Sequence, residues 1–305
     1  MDMRHFKVFL FSLATTVLLA SCGTSRTVPI TGRTQNLMVS NEQVLSLSNQ
    51  EYTNYMKTAK VSTDATNTAM VKRVGQKLAT AVENYLRNNG MANEISEYKW
   101  EFNLVQDKQV NAFCMPGGKI VVYEGLLPVT KDESSLAIVL GHEIAHAVAK
   151  HAAEQMSTQI RQQYGAQAIG MVMSGAGASS SLQNIASTVI GIGAKGQNAK
   201  YSRNHESEAD HLGIIFAAMA GYDPQVAVSF WQRMSDATGG GSTSWLSTHP
   251  SDATRIKQIQ GWMPEALKYY QAAVPATTTT TKSAAKSTTS TNSTTKTLHI
   301  GSKKK

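Results

Sequence analysis

Cysteine is scarce in this sequence: its 305 residues contain only Cys22 and Cys114. A small fold held together by several disulfides is therefore excluded. After the first twenty residues there is no apolar run of the length that a membrane helix needs, and charged residues make up only 16% of the chain. With 41% hydrophobic residues, the composition is that of an ordinary globular protein with enough length for a sizeable core.

Charge is absent altogether between Arg161 and Lys195. Small and apolar residues dominate this stretch, but polar residues such as Gln167 and Gln183 interrupt it. We therefore expect residues 165–195 to form small-residue helical packing or a mobile flap over an active site, and not a membrane span.

Acidic residues are missing from the last thirty residues, although these contain six lysines. The net charge of the whole chain is +8. Subtracting the tail, and the single charge contributed by residues 1–21, leaves +1 for residues 22–275. The main body is thus almost neutral, so its electrostatics give no reason to expect a nucleic-acid partner.

The beginning of the chain has the form of an export signal. A basic start precedes the apolar run 8–19, which is too short for a comfortable membrane span. The sequence Leu-Ala-Ser-Cys at 19–22 resembles the bacterial lipobox, which predicts a signal peptide over 1–21 and lipidation of Cys22. A plain secretory leader, cleaved after a small residue, is the alternative.

Lipidation implies a location in the bacterial cell envelope, with acyl chains holding the protein to a membrane surface. The residue after the cysteine is Gly23 and not aspartate. By resemblance to bacterial lipoproteins, this favours the periplasmic face of the outer membrane.

Composition and periodicity divide the chain into four segments. These are the signal peptide at 1–21, a lipidated tether and N-terminal lead-in at 22–50, a main domain at 51–273, and a Thr/Ser/Lys-rich tail at 274–305. The lead-in is expected to contain one short element near 41–47. The tail has almost no apolar residue to bury, so we expect it to be disordered.

Helical periodicity is clearest in three parts of the main domain. Apolar residues recur at three- and four-residue steps between Asp64, a candidate cap, and Gly90, a candidate stop. A second helix is predicted from near residue 202 to Gly221. A third is predicted to begin at Asp223-Pro224, with the aspartate as N-cap and the proline at the first helical position.

Two strand-like runs lie ahead of the central motif. Residues 100–105 alternate apolar and polar side chains, and residues 119–123 follow a Pro-Gly-Gly turn and are rich in β-branched residues. We expect a small sheet in which 119–123 forms an edge near the next helix. That helix is predicted to begin near Lys131, since Thr130 and Glu133 have the spacing of a capping box.

The helix carries the motif His142-Glu143-Ile144-Ala145-His146, of the form H-E-x-x-H. Residues four apart project from one face of a helix, so His142 and His146 can bind one Zn²⁺. Glu143 is then placed to act as general base toward the attacking water. A chance match on an ordinary core helix is the alternative, at a frequency on the order of 1%.

A catalytic zinc needs a third protein ligand, and a downstream acidic cluster offers candidates. Glu206 and Asp210 share a helix face, which suits one carboxylate on the metal and another behind a ligand histidine. We therefore predict Glu206 as the metal ligand and Asp210 as the residue that orients a histidine. Glu208 points away from that face and is expected to be solvated. His151 and His205 are assigned structural or solvent roles.

These motifs together resemble those of the gluzincin metalloproteases that include the CAAX-prenyl endopeptidases, HtpX and the periplasmic BepA- and LoiP-type proteases. The likeness extends from about residue 30 to about residue 270. It includes the stretch 111–120, the sequence Gly-Tyr-Asp-Pro at 221–224 and the sequence Thr-His-Pro at 248–250. We expect the chain to lie nearest the lipid-anchored or periplasmic members, because the sequence shows neither a transmembrane bundle nor a tetratricopeptide extension.

The resemblance implies an α+β fold, mostly α-helical and of the zincin type, with a small β-sheet next to the metal-site helix. It implies a zinc-dependent, membrane-tethered endopeptidase with one Zn²⁺ per chain, acting on extended or misfolded envelope proteins. His249 is expected by resemblance either to stabilise the oxyanion or to serve as a fourth ligand in a latent site, and a surface histidine beside a helix is the alternative. Candidate substrate-binding residues are Asn111, Lys119, Val121 and Arg255.

Two further functions stay open at this point. One is a chaperone-like assembly factor for envelope proteins with little or latent proteolysis, which the possible flap at 165–195 and His249 would suit. The other is a purely structural zinc site, which is disfavoured because only His249 is available as a fourth protein ligand.

Overall fold

The computed structural model describes residues 23–164, 180–190, 201–238, 245, 249 and 254–274. The predicted signal peptide, the lipidation site Cys22, most of the segment 165–195 and the tail from 275 lie outside these residues. In chain order the elements are β1 (Thr24–Thr27), β2 (Thr34–Leu37), α1 (Asn41–Thr58), α2 (Ala65–Asn88), β3 (Glu101–Val105), β4 (Ala112–Met115), β5 (Lys119–Tyr123), α3 (Leu127–Thr130), α4 (Glu133–Val148), α5 (His151–Tyr164), α6 (Ser180–Val189), α7 (Arg203–Met219), α8 (Val226–Thr238) and α9 (Arg255–Ala273).

The predicted mostly helical α+β fold is confirmed. Its hydrophobic core is formed chiefly by α2, α4 and α7, with the three-stranded sheet on one side. Within the described part of the chain, no helix has the length and apolar character required to cross a membrane.

The lead-in is more ordered than its composition indicates. Strands β1 and β2 pair antiparallel, and the turn between them contains two residues with positive φ, Ile30 and Gly32. Helix α1 is eighteen residues long and begins with a capping box between Ser40 and Gln43. The single short element expected near 41–47 is therefore the first part of a much longer helix.

The sheet has the strand order β3-β5-β4. Strand β5 lies in the centre, parallel to β3 and antiparallel to β4. The prediction that residues 119–123 form an edge strand is therefore wrong, since hydrogen bonds to neighbouring strands occupy both of its sides. The edge near helix α4 is β4, which the sequence pattern did not identify as a separate strand.

Helix α4 begins two residues later than the capping-box pattern predicts. Its N-cap is Asp132, whose Oδ1 accepts a hydrogen bond from the backbone N–H of Ser135 at 2.7 Å. Thr130 ends the short helix α3, and its hydroxyl donates a hydrogen bond to the carbonyl of Leu127. The predicted N-cap at Asp64 and the stop at Gly90 are both confirmed for α2, whereas α8 begins at Val226, after a turn at Asp223-Pro224.

Helices α4 and α7 cross in close contact at a pair of glycines. A Cβ atom on Gly141 would lie 2.5 Å from the carbonyl oxygen of Gly213, and a Cβ on Gly213 would lie 2.7 Å from the backbone nitrogen of His142. Only residues without a side chain permit so close an approach. This contact brings the H-E-x-x-H helix and the acidic cluster of α7 face to face.

Candidate metal centre

Four side chains meet at the crossing of α4 and α7: His142, His146, Glu206 and His249. Each is buried, and one ligand atom from each lies within 4.8 Å of the others. The two α4 histidines project from the same face, so that their Nε2 atoms are 3.1 Å apart. Burial lowers the pKa of His146, which favours the neutral imidazole that metal binding requires.

Glu206 reaches this cluster from the first turn of α7, which Ser202 caps. Its carboxylate oxygens lie 3.5 Å from Nε2 of His142 and 3.4 Å from Nε2 of His146. Burial alone would raise the pKa of Glu206, but electrostatic interactions with His249, His142 and His146 outweigh burial and hold the pKa well below its ordinary value.

The donor set fits a divalent cation. Oε2 of Glu206 is buried and has no hydrogen-bond partner among the described residues. A buried carboxylate oxygen without a partner is costly unless a cation neutralises it. Two imidazoles and a carboxylate, with a further position open or filled by His249, are the ligands that zinc takes in catalytic sites.

Glu143 lies beside the cluster with one oxygen held and the other free. The backbone N–H of Cys114 in β4 donates to its Oε2 at 3.0 Å. Its Oε1 has no hydrogen-bond partner in the described part of the chain. Burial raises the pKa of Glu143, and electrostatic interactions with His249 and His142 partly offset this effect.

Asp210 lies behind His142, as its spacing from Glu206 predicts. Its Oδ1 is 2.9 Å from Nδ1 of His142 and accepts a hydrogen bond from Arg255 at 2.5 Å. The guanidinium of Arg255 stacks 3.4 Å above the ring of Trp231. Arg255 is buried and holds Asp210 in place, and its contact with substrate stays a prediction.

His249 is a direct neighbour of the ligands. Its Nδ1 is 3.1 Å from Oε1 of Glu206 and 3.3 Å from Nε2 of His142. Its Nε2 lies 3.5 Å from the free oxygen of Glu143, and the ring of Trp245 stacks on it at 4.3 Å. Both alternatives from the sequence, a donor near the reacting carbonyl or a fourth ligand, are compatible with this position.

The other three residues predicted to bind substrate lie away from any open surface. Lys119 and Val121 are buried in the central strand, where the Lys119 ammonium donates to the Lys99 carbonyl and pairs with Glu101. Asn111 is buried at the start of β4 and accepts a hydrogen bond from the next backbone N–H. All three side chains are buried in the structure, and their contact with substrate stays a prediction.

The structure also reveals contacts that sequence spacing did not suggest. Glu208, expected to be solvated, is buried and hydrogen-bonded to His151, Thr31 and Arg33. His151 is fully buried and contacts His146, whereas His205 stacks on the ring of His151 at 4.4 Å. No local pattern signals this arrangement, since Thr31 and Arg33 are more than 170 residues away from Glu208 in sequence.

Burial and pairing set the ionisation of these groups. Burial lowers the pKa of His151 to about 4, although the hydrogen bond to Glu208 opposes it. For Glu208 burial acts in the raising direction, but hydrogen bonds from His151, Arg33 and Thr31 outweigh it and lower the pKa to about 2. At neutral pH the pair is thus a neutral imidazole and a carboxylate.

Comparison with known proteins places this geometry in context. Residues 66–263 match the model described as Peptidase family M48. The chain is 38% identical over 175 residues to the mitochondrial metalloendopeptidase OMA1 of Schizosaccharomyces pombe, covering 56% of this chain and 49% of that protein. It is 34% identical over 249 residues to the human metalloendopeptidase OMA1, covering 79% of this chain and 46% of that protein.

A bacterial relative matches as well. The putative beta-barrel assembly-enhancing protease of Vibrio cholerae is 34% identical over 160 residues, covering 51% of this chain and 33% of that protein. The chain thus spans about half or less of the length of these relatives.

Proposed function

Because the chain belongs to peptidase family M48, we propose that it is a zinc-dependent endopeptidase. The observation that carries this proposal is the buried cluster at the crossing of α4 and α7, with the carboxylate of Glu143 beside it. A glutamate with one free oxygen next to a cation site is what hydrolysis of a peptide bond requires.

In this proposal His142, His146 and Glu206 hold the metal. Asp210 accepts a hydrogen bond from Nδ1–H of His142, which fixes the tautomer with Nε2 unprotonated and able to bind, while Arg255 keeps Asp210 in place. Zinc, when bound, supplies a Lewis acid that polarises the scissile carbonyl and acidifies water.

Glu143 moves the proton. The N–H of Cys114 fixes Oε2, which leaves Oε1 to accept a proton from water and to return it to the leaving amine. The raised pKa of the buried carboxyl suits both steps, because the group binds a proton more readily near neutral pH than an exposed glutamate does.

The test compares wild type with Glu143→Gln, using zinc content and cleavage of casein or an unfolded peptide by the full chain. Glutamine keeps the shape but cannot take the proton, so we expect normal zinc content and a loss of activity of about 10²–10⁴-fold. Glu133→Gln is the matched control, since Glu133 lies in the same helix and pairs with Arg73 at the surface. Equal cleavage by wild type and Glu143→Gln would contradict the proposal.

A second function is favoured by His249. With Nδ1 inside the ligand cluster, this imidazole can complete the coordination shell and keep the site latent. The chain would then act mainly as a chaperone-like assembly factor in the envelope. In that case His249→Ala should raise cleavage, and Glu143→Gln should still complement a deletion strain.

We further propose that the protein acts in the bacterial cell envelope, anchored through a lipid on Cys22 at the periplasmic face of the outer membrane. The lipobox-like sequence at 19–22 supports the anchor. Extended or misfolded envelope proteins are the proposed substrates. A bacterial relative named for β-barrel assembly is in accord with this role, whereas other relatives are named as mitochondrial. Incorporation of an alkyne-labelled fatty acid by wild type, and none by Cys22→Ala, is the expected result.

A further inference from the structure

The Nδ1 atoms of the two α4 histidines have different hydrogen-bond partners. His142 contacts a carboxylate directly, with Asp210 2.9 Å from its Nδ1. For His146 the partner is another imidazole: Nδ1 of His151 lies 2.9 Å from Nδ1 of His146. On its other side His151 reaches Glu208, whose Oε2 is 2.9 Å from Nε2.

Counting the protons on His146, His151 and Glu208 leaves one arrangement of hydrogen bonds among these three side chains. Nε2 of His146 points into the ligand cluster, so in the neutral ring the proton is on Nδ1. That N–H donates to His151, whose Nδ1 must then be the unprotonated acceptor. His151 keeps its own proton on Nε2 and donates it to the carboxylate of Glu208. Every nitrogen and its partner are then satisfied.

Glu208, the last of these three side chains, is held in place by the turn between β1 and β2. The hydroxyl of Thr31 donates to Oε1 of Glu208 at 2.6 Å, and Arg33 donates to Oε2 at 2.7 Å through Nη2. The same guanidinium also binds Glu154 of α5 through two further hydrogen bonds. The turn is closed by a hydrogen bond from the backbone N–H of Val28 to the carbonyl of Arg33.

We propose that His151 and Glu208 are positioning residues for the ligand His146, and that the β1–β2 turn is a structural part of the metal centre. His151 links His146 to Glu208 through a hydrogen bond on each side of its ring. Among the described residues, no carboxylate is hydrogen-bonded to Nδ1 of His146 itself. The inference rests on the metal site of the proposed function. Its readout is zinc affinity, which needs no peptidase activity.

The experiment measures the zinc dissociation constant of the full chain by competition with a chromogenic chelator. His151→Phe removes the acceptor, and we expect zinc to bind 10–100-fold more weakly, as for other groups that orient a ligand. His151→Gln offers a carbonyl oxygen to His146 and an N–H to Glu208, and it should restore most of the affinity. A role in packing alone would not separate phenylalanine from glutamine in this way.

A matched pair of variants isolates the carboxylate. Glu208 and Glu154 both bind Arg33, but only Glu208 contacts His151. Glu208→Gln should weaken zinc binding by about tenfold and alter the visible spectrum of the cobalt-substituted protein, whereas Glu154→Gln, which leaves the hydrogen bond between Glu208 and His151 in place, should have a much smaller effect on both. If His151→Phe does not fold, the zinc affinities of Glu208→Gln and Glu154→Gln still test the proposal.

Affinities within twofold of wild type for both His151→Phe and Glu208→Gln would overturn the proposal. Equal losses in Glu208→Gln and Glu154→Gln would overturn it too, because they would point to general stability. If wild type binds zinc but cleaves no peptide, the proposed function fails. The inference about His151 and Glu208 is then still tested by the zinc affinities of wild type and the variants.

Discussion

The crossing of α4 and α7 at two glycines makes a sharp prediction about Gly213. A Cβ atom added there would lie 2.7 Å from the backbone nitrogen of His142, about 0.7 Å short of the 3.4 Å at which ordinary contact begins. The atoms that it meets belong to backbone, so they cannot rotate away. Gly213→Ala must therefore push the two helices apart.

Two measurable losses follow from this separation. Overpacking of this kind costs about 1–3 kcal/mol. At roughly 2–4 °C per kcal/mol for a domain of this size, the melting temperature should fall by several degrees. The separation also moves Glu206 on α7 relative to the α4 histidines. Because metal ligands must be held to about 0.5 Å, zinc binding should weaken by at least about tenfold.

The matched control is Gly261→Ala, another glycine inside a helix. A Cβ at that position meets nothing within 4 Å. Alanine should stabilise α9 there by about 0.5–1 kcal/mol, because it restricts the unfolded chain and favours the helix. Both variants are measured by thermal unfolding and by chelator competition. If Gly213→Ala melts as high as Gly261→Ala and binds zinc as tightly, the close crossing is not what positions the ligands.

Two further predictions concern groups outside the ligand cluster. Since the pKa of Glu208 is about 2 in the fold and about 4.5 when unfolded, it contributes stability, on the order of 1–2 kcal/mol after allowance for solvent screening, that is complete above pH 4.5 and is lost as the pH falls toward 2. Urea unfolding of the metal-free protein across this range should be less acid-sensitive in Glu208→Gln. Lys119 is buried in the central strand, where it donates to the Lys99 carbonyl and pairs with Glu101. Lys119→Met should therefore lower the free energy of unfolding by about 1 kcal/mol and leave KM for a peptide substrate unchanged. A large rise in KM would instead indicate that Lys119 contacts the substrate.

Local patterns predicted several elements correctly, because the physics that sets them is local. Helix α2 is capped by Asp64, whose side-chain oxygen accepts a hydrogen bond from the backbone N–H three residues later. The failure at α4 is equally local: Thr130 fits a capping box, but its hydroxyl bonds to the preceding short helix, and Asp132 caps instead. Both residues have suitable side chains, and only the path of the chain selects between them.

Strand order could not be read in the same way. Residues 119–123 have the β-branched composition of a strand, but composition does not say whether one or both sides are paired. The structure places β5 in the centre because β3 pairs with it in parallel across an intervening segment. Composition likewise did not indicate that Lys119 and Val121 are buried in a strand paired on both sides.

The sequence by itself determined the helix that carries His142, Glu143 and His146, and the shared face of Glu206 and Asp210, because helical spacing alone sets which side chains project together. Only the tertiary structure decided what lies behind them. Arg255 came to hold Asp210, and Glu208 became a buried partner of His151 and Arg33, through contacts between segments distant in sequence. Such contacts depend on how the helices cross and where the β1–β2 turn packs, and no local periodicity encodes either.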